Sequence, residues 1–145
     1  MSRLFPRHGD AWIIPSDHPG IVHLHMQGPW NVELVQYSDQ LIDDQVATLP
    51  SARPWTLLVD ISHSGLCTPE ALRNMRQHAQ NNMQTTYRVA TAWVLPQDLD
   101  GQLVLRLAFS ETYAGLGAMR IFTTIEEALP WLQQCLDDAS DNPPG

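Results

Sequence analysis

The sequence predicts an α/β fold, a mixed and mostly parallel five-stranded sheet with four main helices in the order ββαβαβαβα. Three observations carry this. Trp55–Ile61 is nearly all apolar rather than alternating, as in a central strand covered on both faces. From there on, strand-like runs alternate with helix-length segments, which calls for right-handed crossovers and parallel pairing. At the front of the chain, two short apolar runs are joined by a turn, as in an antiparallel pair.

Taken in order, residues 1–10 (MSRLFPRHGD) lack periodicity and are expected to be a lead-in. Ala11 to Ile14 forms the first run, stopped by Pro15, with Ser16, Asp17, Pro19 and Gly20 supplying turn chemistry. Ile21 to Met26 alternates, Val22, Leu24 and Met26 on one face and Ile21, His23 and His25 on the other. Asn31 caps a helix from Val32 to about Thr48, and Pro50–Pro54 ends it. The central strand follows, bracketed by Pro54 and Gly65 and too short for a buried helix. Thr68-Pro69-Glu70 opens the next helix: a hydroxyl to cap, a proline for the first position, an acid at the positive dipole end. That helix runs to about Gln84 with Leu72, Met75, Ala79 and Met83 inward.

Tyr87–Leu95 is the next strand, with Val89, Thr91, Trp93 and Leu95 on one face, stopped by Pro96. Asp98 is expected to cap a helix from Leu99 to about Tyr113 whose inner stripe is Leu103, Val104, Leu107 and Ala108. Met119–Phe122 is a short strand. Thr124 and Glu127 have capping-box spacing for a last helix to about Asp138, bent at Pro130. The expected domain is therefore 11–138, with a disordered tail over 139–145.

Composition bounds the function. The 145 residues make one domain, and a net charge of −8, with arginine as its only strong base, argues against nucleic acid as a partner. Cys67 and Cys135 are far apart and read as reduced thiols of a cytoplasmic protein. No apolar run approaches the ~20 residues of a membrane span, so no membrane insertion is expected.

Asp60, Ser62, His63, Ser64 and Thr68 fall around the C-terminal end of the central strand, the edge where open α/β sheets bind ligands. They are the candidate ligand- or partner-binding residues. The alternative is that Asp60 and Ser62 satisfy loop backbone and that Thr68 only caps. A hydrolase triad is not expected from Asp60, His63 and the neighbouring serines, because adjacent positions rarely converge, and no Gly-x-Ser-x-Gly elbow is present. His23-x-His25 has a spacing seen in metal sites, but a third ligand would have to come from His63, His78 or Cys67, and a polar strand face explains the pair. No metal and no cofactor are expected. Of the five tryptophans, Trp30 between Pro29 and Asn31 is expected to be the exposed one, free to meet a partner or dimer mate.

Four stretches carry a resemblance. They are Trp55-Thr56-Leu57-Leu58-Val59-Asp60-Ile61-Ser62; Thr68-Pro69-Glu70-Ala71; Ala92-Trp93-Val94-Leu95-Pro96; and Ile121-Phe122-x-x-x-Glu126-Glu127-Ala128-Leu129-x-Trp131-Leu132. Their order and spacing over residues 11–137 resemble the SpoIIAA-like members of the STAS superfamily. The resemblance implies a small α/β domain that acts by protein–protein contact, as anti-sigma-factor antagonists do. In those relatives a Ser or Thr within Asp-Ser-Ser-Gly or Asp-Thr-Ser-Gly starts the helix after the central strand and is the phosphorylation switch. Here that stretch reads Cys67-Thr68-Pro69-Glu70, so the switch motif is absent. The expected function is thus a non-enzymatic, cytoplasmic interaction domain, with a protein partner or a homodimer mate. The alternative is a small apolar-ligand carrier, resembling the Sec14 side of the superfamily.

Overall fold

The sheet is built in simple sequence order. In the computed structural model, which describes residues 9–50 and 53–141, five strands lie side by side as β1 (Asp10–Ile14), β2 (Ile21–Gln27), β3 (Trp55–Ser62), β4 (Arg88–Val94) and β5 (Ala118–Phe122). β1 pairs antiparallel with β2 and every other pair is parallel. The expected α/β architecture and element order hold. β3 is the middle strand, and seven of its eight residues are buried, which is why its sequence is apolar on both faces.

Four helices complete the chain: α1 (Val32–Val46), α2 (Pro69–Thr85), α3 (Gln102–Thr112) and α4 (Ile125–Asp141). α1, α2 and α3 pack on one face over Leu24, Leu57, Val59 and Trp93. α4 alone lies on the other, over Leu58, Ala90, Ala92 and Val94. The expected caps form. Asn31 accepts from the Leu34 N–H at 2.9 Å and Thr68 from the Ala71 N–H at 3.1 Å. The Thr124 hydroxyl accepts from the Glu127 N–H and donates to its carboxylate.

Several local expectations are corrected. α3 starts at Gln102, after a turn in which Leu99 N–H bonds Pro96 and Gln102 N–H bonds Leu99, so Asp98 does not cap it and Gly101 holds the N-cap position at φ 77°. The side of α3 that faces the core is Leu105 and Phe109, whereas Leu103, Val104 and Leu107 are 76, 73 and 64% exposed. Phe109 anchors the helix by packing 4.0 Å from Trp93 and 6.0 Å from Trp30, each such pair being worth about 0.5–1.5 kcal/mol beyond its buried area. Trp30 is accordingly buried, not exposed, and Trp12 is the exposed tryptophan. On α2, Asn82 turns inward and Met83 outward. A register shift opposite Trp55/Thr56 puts Arg88, not Val89, on the α1/α2 side of the sheet. α4 continues past Pro130 to Asp141, three residues beyond the expected end. Asp10 belongs to β1 and Gly9 precedes it; lead-in residues 1–8 and the tail 142–145 lie outside the described residues.

Candidate functional site

Parallel pairing places His25 directly opposite Asp60, and His23 opposite Leu58. Side chains alternate along a strand, so His23 and His25 of β2 share a face with Asp60 and Ser62 of β3. That face is the one α4 covers, but α4 packs over β3, β4 and β5 and leaves the β1–β2 flank without a helix among the described residues. Trp12 of β1 shields it instead, stacking on the His25 ring at 4.7 Å. The side chains of His23, His25 and Asp60 are 12, 16 and 12% exposed.

These groups form one hydrogen-bonded chain. His23 Nε2 contacts Asp60 Oδ2, and His25 Nδ1 contacts Asp60 Oδ1. On its far side, His25 Nε2 lies 2.9 Å from Ser62 Oγ, which is 3.0 Å from His63 Nδ1. A carboxylate only accepts, so both histidines donate to Asp60. With its proton on Nδ1, a neutral His25 has an acceptor at Nε2, and the Ser62 hydroxyl donates to it. Ser62 Oγ then accepts from His63 Nδ1–H. His63 itself sits at φ 70°, with Ser64 N–H closing back on the Ser62 carbonyl at 2.9 Å, a γ-turn in a conformation that non-glycine residues seldom adopt.

Of the five residues singled out from the sequence, Asp60, Ser62 and His63 therefore meet. Ser64 and Thr68 do not join them. Ser64 is buried and its hydroxyl accepts from Leu66 N–H at 3.1 Å, while Thr68 caps α2 on the opposite side of the sheet. His23 and His25 complete the group and were absent from the candidate set. The other proposed partners of that histidine pair do not reach it, since His78 lies between Asp39 and Asp43, and Cys67 lies beside Trp30 in the loop. Among the described residues no group of three His, Cys, Asp or Glu is arranged to hold a metal ion. Burial pushes the Cys67 thiol up to about 12, which makes it a poor nucleophile.

The loops at this edge of the sheet are laced together. Trp30 N–H bonds Leu66, Thr68 N–H bonds Trp30, and Gly65 N–H bonds Asp100. Gly28 packs so closely that an added Cβ would fall 1.8 Å from the Ser64 carbonyl oxygen. The lacing pushes Leu66 outward, 53% exposed and against Gly101 at the start of α3. Beside it runs an open groove of about 340 Å3, lined by Pro29, Trp30, Asn31, Leu66, Cys67 and Thr68.

A second polar group is buried between α1, α2 and the sheet. Arg88 donates to Thr91 and Asn82 and lies over the Trp55 ring. Asp39 faces His78 Nδ1 at 3.2 Å, and burial, with Asp43 adding to it, pushes Asp39 up to about 8. Burial also lowers His78, against the pull of its bond to Asp43. The cavity these residues share with Leu24, Met75 and Trp93 is about 20 Å3, room for one water and not for an acyl chain.

Several solved structures share the fold. An uncharacterised protein from the DUF3478 family with a SpoIIAA-like fold, from Shewanella loihica PV-4, matches with a TM-score of 0.59 and 14% identity, over 90% of this chain and 99% of that one. SLC26A9 matches through its STAS domain with a TM-score of 0.55 and 12% identity, over 94% of this chain but only 26% of that one. No protein-family model and no curated protein matches the chain. At these identities the likeness shows the fold alone, which is SpoIIAA/STAS-like, in agreement with the resemblance read from the sequence.

Proposed function

We propose that this STAS-like domain works by protein–protein contact through the surface that Leu66, Leu103, Val104 and Leu107 form at the C-terminal edge of the sheet. One observation carries the reading: α3 turns three large aliphatic side chains to solvent, next to a fourth on the loop after β3. An exposed apolar cluster with a polar rim is the usual mark of an interaction surface. At this face the domain acts by binding and needs no chemistry. Glu70 in the first turn of α2, Asp98 and Asp100 just before α3 and Glu111 in its last turn are exposed, and the chain carries a net charge of −8. We therefore assign the occupant as a protein with an apolar contact ringed by basic residues, in preference to a second, equally acidic copy. Cytoplasmic placement belongs to the same proposal and rests on the two free thiols. The apolar-carrier alternative is not favoured, because the cavity between α1, α2 and the sheet is water-sized.

The test is the pair Leu103→Asp with Leu107→Asp. Both side chains are exposed, so stability should change by no more than about 0.5 kcal/mol per site. Crosslinking in cells should capture a basic protein with the wild type and lose it with the double variant. Binding of the purified partner should weaken with salt. If the double variant keeps every crosslink, the surface is wrong. If the purified chain is a dimer that the double variant dissolves, the occupant is a second copy and the assignment of a basic partner fails.

A further inference from the structure

We infer that Ser62 is an activated nucleophile and that the β1–β2–β3 side of the sheet is an acyl-transfer site for small carboxylic esters. The site stands apart from the apolar edge at α3, and goes beyond the binding role given to that edge.

The argument is geometric. A serine hydroxyl is a weak nucleophile until a base takes its proton and a third group holds the base in the right tautomer. His25 Nε2 is 2.9 Å from Ser62 Oγ, within the range for proton transfer. Asp60 binds the opposite nitrogen, Nδ1, which leaves Nε2 as the acceptor and stabilises the imidazolium that forms. His23, on the second oxygen of Asp60, and Trp12, stacked on the His25 ring, are positioning residues. They restrict the carboxylate and the imidazole to one arrangement. The turn at His63 brings Nδ1–H to 3.0 Å from Ser62 Oγ, a side-chain donor beside the acyl oxygen, two bonds from Oγ, on which the oxyanion develops. The positive φ at His63 is of the kind that clusters at functional sites.

The chemistry balances without a cofactor. Ser62 Oγ attacks the ester carbonyl carbon, and its proton passes to His25 Nε2. The bond to the leaving alcohol breaks as His25 returns that proton to the departing oxygen, leaving an acyl group on Ser62. Water then adds to the acyl carbon and gives a proton to His25. The carboxylic acid departs as Ser62 Oγ takes the proton back. In register with Ser62 on that face stand Gln27 and Asp10, with Trp12 one row along over His25, and no helix covers β1 and β2 there, so the serine opens on a strand face and the substrate class is a short acyl ester.

Two probes test this on the full-length chain: p-nitrophenyl acetate turnover, and labelling by a fluorophosphonate mapped by peptide mass spectrometry. Ser62 should be labelled at least ~100-fold faster than Ser16 and Ser110, exposed serines whose hydroxyls meet only backbone groups. Ser62→Ala should abolish turnover. His25→Ala should slow labelling by about 100-fold or more, and added imidazole should restore part of the rate. Circular dichroism checks that each variant folds, and the comparison of serines within the wild type stands even if a variant does not. Labelling of Ser62 no faster than Ser16, or a folded His25→Ala variant labelled at the wild-type rate, overturns the inference.

Discussion

Asp39 offers a quantitative handle on the core. Its carboxyl is pushed up to about 8 by burial and by Asp43, against an ordinary value of 3.8 in the unfolded chain. Between these two values the folded state binds a proton that the unfolded state releases. Stability therefore falls as pH rises from about 4 to about 8 and levels off above, because a raised carboxylate favours the folded state only while it stays protonated. At ~1.4 kcal/mol per pH unit, keeping Asp39 protonated at pH 7 costs about 4 kcal/mol. Asp39 keeps 19% of its side chain exposed, so solvent relieves part of that, and ~2 kcal/mol is the expected penalty. Asp39→Asn removes the titration while keeping the shape and a donor toward His78. The variant should match the wild type near pH 4 and gain ~2 kcal/mol by pH 8.5, a rise of about 1 M in urea midpoint. Urea unfolding followed by tryptophan fluorescence from pH 4 to 9 reads this directly, Trp55 and Trp93 both lying in the same core cluster. A gain that is the same at pH 4 and pH 8.5 would mean that Asp39 is ionised in the folded protein at all these values, and would refute the reasoning.

Three further outcomes are expected. Thr68→Ala removes the α2 cap and should lower stability by about 1 kcal/mol in thermal unfolding. Gly28→Ala places a Cβ 1.8 Å from the Ser64 carbonyl oxygen; the two loops must separate and the Gly28–Ser62 backbone bond must break, so a loss of ~3 kcal/mol or more is expected, seen as insoluble protein or a Tm about 10 °C lower. At pH 8 the native Cys67 thiol, pushed up to about 12, should react with a disulfide reagent at least ~100-fold more slowly than in the urea-unfolded chain; equal rates would show that the loop opens freely.

The sheet was readable because its order needs only local rules. Trp55–Ile61 is apolar on both faces because β3 is central, and the two Gly/Pro turns flanking Ile21–Gln27 mark where the chain reverses and then crosses over. α3 was misread for a physical reason. Leu103, Val104, Leu107 and Ala108 form the more continuous aliphatic stripe, and a stripe is ordinarily buried. Here the aromatic cluster of Trp30, Trp93 and Tyr113 selects Phe109, with Leu105 one turn away, and the richer stripe is left outside. Propensity and periodicity cannot rank two competing faces on one helix; the partner surface ranks them. The same cluster explains why Trp30, flanked by Pro29 and Asn31 and so apparently a loop residue, is among the most buried side chains.

The site was half legible, and the missing half was a matter of register. His-x-His on β2 and Asp-x-Ser on β3 each show the two-residue period of a strand with one polar face. Read separately, each pair has a bland account: a polar edge for the histidines, loop satisfaction for Asp60 and Ser62. What joins them is the pairing of His25 with Asp60 and of Gln27 with Ser62, set by the length of the crossover through α1. A shift of one residue would turn both histidines to the α1/α2 side and bury them against Leu57 and Val59. Because Val22, Leu24 and Met26 must fill that side, the hydrophobic pattern of β2 itself forbids the shift. The apolar alternation that builds the core thus also fixes the histidines opposite the carboxylate. Two polar dyads at period two on strands joined by one helical crossover are, in a parallel sheet, candidates for a single site, and should be weighed together before either is set aside.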